Sequence, residues 1–188
     1  MPPVHYLDFE TFSLAVPIYD GMRPYQRVPF QYSLHVVMKP GLPPKHYSFL
    51  MRDMADPRPD LIDGLRSQIG TSGSIVVYNQ SFEQGVFREL AGAYREHGEW
   101  CQDIISRMID LLQPFRNFDY YHPSQRGSAS MKKVLPALTG HGYDELAISE
   151  GEMASIAFRS VTFGQVTDRK RSASLMILKF IAGRIPKE

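Results

Sequence analysis

A chain of 188 residues, 43% hydrophobic and 22% charged, holds enough apolar material for one domain with a true core, which excludes disorder, collagen-like repeats and coiled coil. Its 21 Lys and Arg against 20 Asp and Glu give a formal net charge of +1, so no global field draws it toward nucleic acid or a membrane. The single cysteine, Cys101, excludes an intrachain disulfide framework and a multi-cysteine zinc site. No apolar run approaches the roughly 20 residues that span a bilayer. The start, Met1-Pro2-Pro3-Val4-His5, lacks the basic-then-apolar pattern of a signal peptide. The expectation is a soluble cytoplasmic protein with no membrane and no disulfide partner.

In chain order, Val4 to Glu10 reads as a strand with Tyr6, Asp8 and Glu10 on one face and Leu7 and Phe9 on the other. Pro17, Gly21 and Pro24 mark a loop. Phe30, Tyr32, Leu34, Val36 and Met38 alternate as a second strand, ended by Lys39-Pro40-Gly41, and His46 to Met51 alternates again. That makes a meander of three antiparallel strands. The spacing then turns helical, with Asp56-Pro57 as cap and first residue and Leu61, Leu65 and Ile69 on one face.

After a break at 70–73, Ser74 to Tyr78 is a short apolar run typical of a buried parallel strand. A helix bearing Phe82, Val86, Leu90 and Ala93 follows. Trp100, Ile104, Met108, Leu111 and Phe115 predict one further continuous helix, and 117–127 a polar and aromatic loop. Ser128 can cap a helix carrying Met131, Val134 and Leu138, distorted near Pro136. More helix is expected at 151–160 and 169–182. Strands first, then alternating helix and strand, predict an α/β or α+β mixed sheet flanked by helices in one domain over 1–188.

Two places carry chemistry. Leu7-Asp8-Phe9-Glu10-Thr11 ends the first strand, and carboxylates at i and i+2 point off the same face, close enough to share divalent ions. By itself the pair is also what any solvated strand end displays. Asn79-Gln80-Ser81-Phe82-Glu83 follows the buried strand and opens a helix. There an Asn is ordinarily a cap and a first-turn Glu ordinarily offsets the helix dipole.

The order of these parts resembles the DEDD superfamily of proofreading-exonuclease-like 3′–5′ exonucleases, whose first motif is Asp-x-Glu and whose second is Asn-x-x-Phe-acid. The match is closer to a bacterial branch known as a domain of unknown function. It runs through Tyr19-Asp20-Gly21 and Arg23-Pro24-Tyr25 to Pro29-Phe30-Gln31-Tyr32-Ser33-Leu34-His35, Val77-Tyr78-Asn79 with Ser81-Phe82-Glu83, and residues 127–138. The resemblance implies a ribonuclease H-like fold, with three antiparallel strands first and parallel strands added after.

It also implies two-metal hydrolysis of phosphodiester bonds at the end of single-stranded DNA or RNA, with two Mg²⁺ or Mn²⁺ ions, or one. Asp8 would bridge the ions, Glu10 would orient the water or hold one ion, and Glu83 would support the second. Thr11, Phe12, Asn79, Phe82 and Lys132 would contact substrate, the two aromatic rings by stacking on a base. Core packing is the plainer role for Phe82. Arg23, Tyr25, Arg27 and Lys133 are further phosphate candidates. Asp110, in Ile109-Asp110-Leu111, resembles a structural acid lying between the second and third motifs.

The pattern breaks near the C-terminus. The superfamily has a fourth acid on a late helix, yet no acid lies between Asp168 and Glu188. Residues 168–188 carry six basic against two acidic residues, a balance of +4 that leaves −3 for the rest. The expectation is an exonuclease-like domain lacking its C-terminal end. Its rival is a catalytically inactive nucleic-acid or protein interaction module on the same fold. Oligomeric state stays open.

Overall fold

The computed structural model describes residues 2–141 and 151–164. Its centre is β1 (Val4–Phe12), in which His5, Leu7 and Phe9 are buried and Tyr6 and Asp8 are exposed. β1 pairs antiparallel with β2 (Val28–Val37), and β2 pairs antiparallel with β3 (Lys45–Leu50). On the other side β1 pairs in parallel with β4 (Ser74–Val77), which pairs in parallel with β5 (Met108–Asp110). The order β3-β2-β1-β4-β5 is a five-stranded mixed sheet. Antiparallel strands first and parallel additions later agree with the expected architecture.

Apolar alternation on β1 and β2 makes one face of the sheet a core surface. Leu7, Phe9, Tyr32 and Leu34 meet α1 (Arg58–Gln68) through Leu61, Ile62 and Leu65, and α2 (Gln80–Ala93) through Val86, Phe87 and Leu90. Cys101 and Ile104 of α3 (Gly98–Ser106) complete the cluster. The Phe9 and Phe87 rings meet edge to face at 5.5 Å, an arrangement favoured by the ring quadrupoles. Gly64 lets α1 approach β2, because a Cβ there would fall 2.7 Å from the Tyr32 hydroxyl, which donates to Gln68 Oε1 at 2.9 Å.

A second cluster forms at the C-terminal end of β1. Phe12, Val28, Phe30 and Met51 pack with Phe158 of α6 (Gly151–Thr162). The Phe30 and Phe158 rings stack at 4.0 Å. A register shift between Glu10 and Thr11 separates this cluster from the first, and Pro29 sits opposite Thr11 at that irregularity, where a missing N–H is tolerated.

One predicted element is corrected. The helix expected across Trp100 to Phe115 is instead α3, β5 and α4 (Gln113–Arg116). Apolar residues four and three apart mimic one helical face, yet Met108 and Ile109 extend and pair with Ile75 and Val76. α5 (Met131–Thr139) keeps Pro136 inside it, starts after Ser130 rather than Ser128, and ends at Gly140 with φ 73°. Helix 169–182, Asp168 and Glu188 lie outside the described residues. Among the described residues no helix is long and apolar enough to cross a membrane.

Candidate active site

Strand β4 is short, and its shortness makes the site. It pairs with β1 only through Val4, His5 and Tyr6, so beyond Tyr6 no strand among the described residues lies along that edge of β1. The chain leaves β4, turns at Asn79 and enters α2, whose first turn carries Glu83 to the exposed edge. There the Phe9 backbone N–H donates to the Glu83 carboxylate. A side chain thus takes the place of the missing strand, satisfying a donor that the ladder leaves over.

Asn79 is held in the left-handed region at φ 77°, ψ 66°, which Asn tolerates better than most non-glycine residues. Its N–H donates to Asp110 Oδ1 at 2.9 Å, and its own Oδ1 accepts from the Ser81 hydroxyl at 2.7 Å. Asp110, at the end of β5, also accepts from the Leu112 N–H at 2.9 Å. Partial burial pushes the Asp110 carboxyl up, but backbone donors from Leu112, Asn79 and Gln80 outweigh it and hold it below the usual range. Asp110 therefore works as the brace of the β4–α2 turn.

Asp8, Glu10 and Glu83 feel one another's charge. Burial pushes Glu83 well up, Asp8 and then Glu10 add to it, and the Phe9 N–H and the Arg27 guanidinium work against them. Desolvation, then the charge of Asp8, pushes Glu10 up to about 7. Asp8 rises to about 6 by desolvation, although its side chain reaches solvent, because protein crowds it from the other directions. Glu83 is 1% exposed, and its Oε2 has no hydrogen-bond partner. A buried carboxylate oxygen left unpaired is unfavourable unless it is protonated or meets a cation.

Oxygen-only donors of this kind suit hard divalent cations such as Mg²⁺, and the unpaired Glu83 Oε2 among three mutually repelling acids fits one on chemical grounds. The side chains do not close round an ion by themselves. Among the described residues no three His, Cys, Asp or Glu side chains converge closely enough to hold a metal.

The remaining predicted site residues are divided. Phe12 is corrected: it is 1% exposed and packed against Phe30, Phe158 and Phe163, so neither face is open to a base. Phe82 is half-buried against the main core and lies under the Arg27 guanidinium, 5.3 Å from ring to Cζ. Thr11 is half-buried at the register shift beside Glu10. Lys132 is exposed in the first turn of α5, as is Lys133. Arg23 is bound to Glu89 by a salt bridge, and Tyr25 is exposed at φ 58°.

Sequence reasoning missed a crevice of about 420 Å³ at the C-terminal ends of β4 and β5, lined by Tyr78, Asn79, Leu112, Arg116, Ser130 and Met131 among others. Its position follows a general rule, since ligands of open α/β sheets settle outside the carboxyl ends of parallel strands. Reading Ile109-Asp110 as strand rather than helix was the missing signal.

Comparison with known proteins adds a family and no activity. "Uncharacterized protein MG366" of Mycoplasma genitalium is 29% identical over 168 residues, covering 79% of this chain and 25% of that protein. "Uncharacterized protein MG366 homolog" of Mycoplasma pneumoniae matches with the same identity and coverage. The chain thus spans about a quarter of the length of these curated relatives. No solved structure matches it. Residues 5–130, the larger part of the chain, match the family described as "Domain of unknown function (DUF2779)", and the chain belongs to that family.

Proposed function

We propose that the protein is a metal-dependent 3′–5′ exonuclease-like hydrolase of single-stranded DNA or RNA ends, built on a ribonuclease H-like variant of the mixed sheet. The observation that carries this reading is the buried Glu83 Oε2 without a hydrogen-bond partner, on a residue that feels the charges of Asp8 and Glu10 from a distant sequence motif. Divalent ions bound there would supply charge for the attacking water and the leaving oxygen. Asp8 and Glu83 provide the anionic oxygens that such ions need. Glu10, two residues along the same strand, would orient the attacking water or hold one ion. Asn79, on the turn braced by Asp110, lines the crevice at the ends of β4 and β5 and would contact substrate there.

A second reading, an inactive interaction module on the same fold, is favoured by one observation: among the described residues the acids do not converge on a point. The two readings separate in one assay. A 5′-labelled single strand of DNA, and one of RNA, is incubated with the chain in Mn²⁺, with EDTA and Asp8→Asn controls. The expected outcome is a ladder that shortens from the 3′ end and disappears in both controls. An intact substrate, or shortening that survives Asp8→Asn, overturns the hydrolase reading.

A further inference from the structure

We propose that Arg27 is a phosphate-binding residue next to the carboxylate group, its guanidinium held against the start of α2 by the Phe82 ring and the bare Cα of Gly85 so that its donors meet a phosphate oxygen of the strand. The substrate class in this statement rests on the hydrolase reading above. The placement of Arg27 does not.

Arg27 ends the loop that joins β1 to β2, one residue before Val28. That loop lies along α2 and is tied to it further down by the salt bridge of Arg23 with Glu89. The Arg27 side chain crosses the first turns of α2 over Gly85. A Cβ there would sit 2.6 Å from its Nη2 and 3.2 Å from its Cζ, so a side chain at 85 would push the guanidinium aside. The Phe82 ring under Cζ adds a cation–π attraction. A solvated surface arginine needs neither feature.

Position is fixed, but the donors are uncommitted. Arg23, Arg58 and Arg107 each pair with a carboxylate. Among the described residues no carboxylate oxygen lies within salt-bridge distance of Arg27, and none of its nitrogens is sealed from solvent without a partner. Its charge reaches Glu83. A planar fork of N–H donors, half-buried against α2 and without a carboxylate partner among the described residues, suits the oxygens of a phosphate. It also sets a positive charge near acids that alone would repel a strand.

The test is the anisotropy of a 5′-labelled oligothymidylate titrated with the full chain in EDTA near pH 6, where hydrolysis is off and the raised acids are partly protonated. Binding is followed from about 50 to 200 mM KCl. Arg27→Met is expected to weaken binding about tenfold at low salt and to flatten the slope of log K against log[KCl] by about 0.7, the signature of one lost phosphate contact on a single strand. Gly85→Ala, which alters no charge, is expected to flatten it similarly by displacing the guanidinium. Arg27→Lys keeps the slope while losing part of the affinity, and it remains informative if Arg27→Met does not fold.

An unchanged slope and affinity in Arg27→Met, or no binding by the wild-type chain, overturns the inference. If shortening in Mn²⁺ is unaffected by Arg27→Met, the inference falls and the hydrolase reading stands. If the wild type never shortens a strand but the slope change appears, the hydrolase reading falls and the phosphate contact stands.

Discussion

Glu83 shows how one side chain serves two purposes. Its carboxylate takes the Phe9 N–H that the short β4 leaves unpaired, while its second oxygen is buried without a partner beside Asp8 and Glu10. Carboxyls whose pKa is raised on folding bind more protons in the native than in the unfolded chain. Between the ordinary carboxyl value near 4 and the folded values, about 6 for Asp8 and about 7 for Glu10, stability therefore falls as pH rises. Buried His35, lowered to about 4 by desolvation and by His46, works in the opposite direction. The difference between two proteins is thus the proper readout. Without divalent ions, Glu83→Gln is expected to gain thermal midpoint over the wild type on going from pH 5 to pH 8, by roughly 2–4 °C for each kcal/mol relieved. Melting curves in EDTA measure this directly, and a gap that shrinks with pH would contradict it.

At the scale of elements, the β4–α2 turn and β5 form one device. Asp110 on β5 receives the N–H groups of Asn79 and Gln80, so the entry of α2, and with it Glu83, is aligned from the neighbouring strand. Asp110→Ala is expected to cost about 1–2 kcal/mol, the usual loss of a helix-start acceptor, and to abolish Mn²⁺-dependent shortening although Asp110 touches no substrate. Denaturant unfolding beside the nuclease assay checks both parts, and a destabilised variant with full activity would contradict the alignment role.

The same region shows where sequence reading runs out. Alternation on β1 and β2 was legible because apolar residues hold one face of each while the other carries polar ones, Asp8 and Glu10 on β1 and Gln31, Ser33 and His35 on β2. Asp8-x-Glu10 was legible because i and i+2 share a face of a strand. Met108-Ile109-Asp110 was not, since three extended residues are too few to show a period and their apolar neighbours imitate a helix. The burial of Phe12 was equally hidden: it depends on Phe158, far along the chain, and on the register shift after Glu10.

Across the whole molecule, the sheet order β3-β2-β1-β4-β5 places the longest strand pair beside the shortest, and the step between them leaves the later part of β1 beyond the reach of β4. Asp8 and Glu10 come to this step from β1 and Glu83 from α2, with Arg27 held against α2 from the β1–β2 loop, while Asn79 on the turn lines the separate crevice at the ends of β4 and β5. Residues so far apart in sequence meet only because α2 follows a strand that ends early. The charge arrangement was not legible as energy, because the raised acids and the uncommitted guanidinium depend on burial that spacing does not report.

The central claim is that this cluster binds a divalent cation through Asp8 and Glu83. Isothermal titration of Mn²⁺ into the full chain near pH 6.5, in two buffers of different ionisation heat, tests it most directly. The account predicts saturable binding accompanied by proton release, because the raised carboxyls must ionise to accept the ion, with affinity falling about tenfold or more in Asp8→Asn and in Glu83→Gln. No binding by the wild-type chain, or binding with no proton release and no change in either variant, would contradict it.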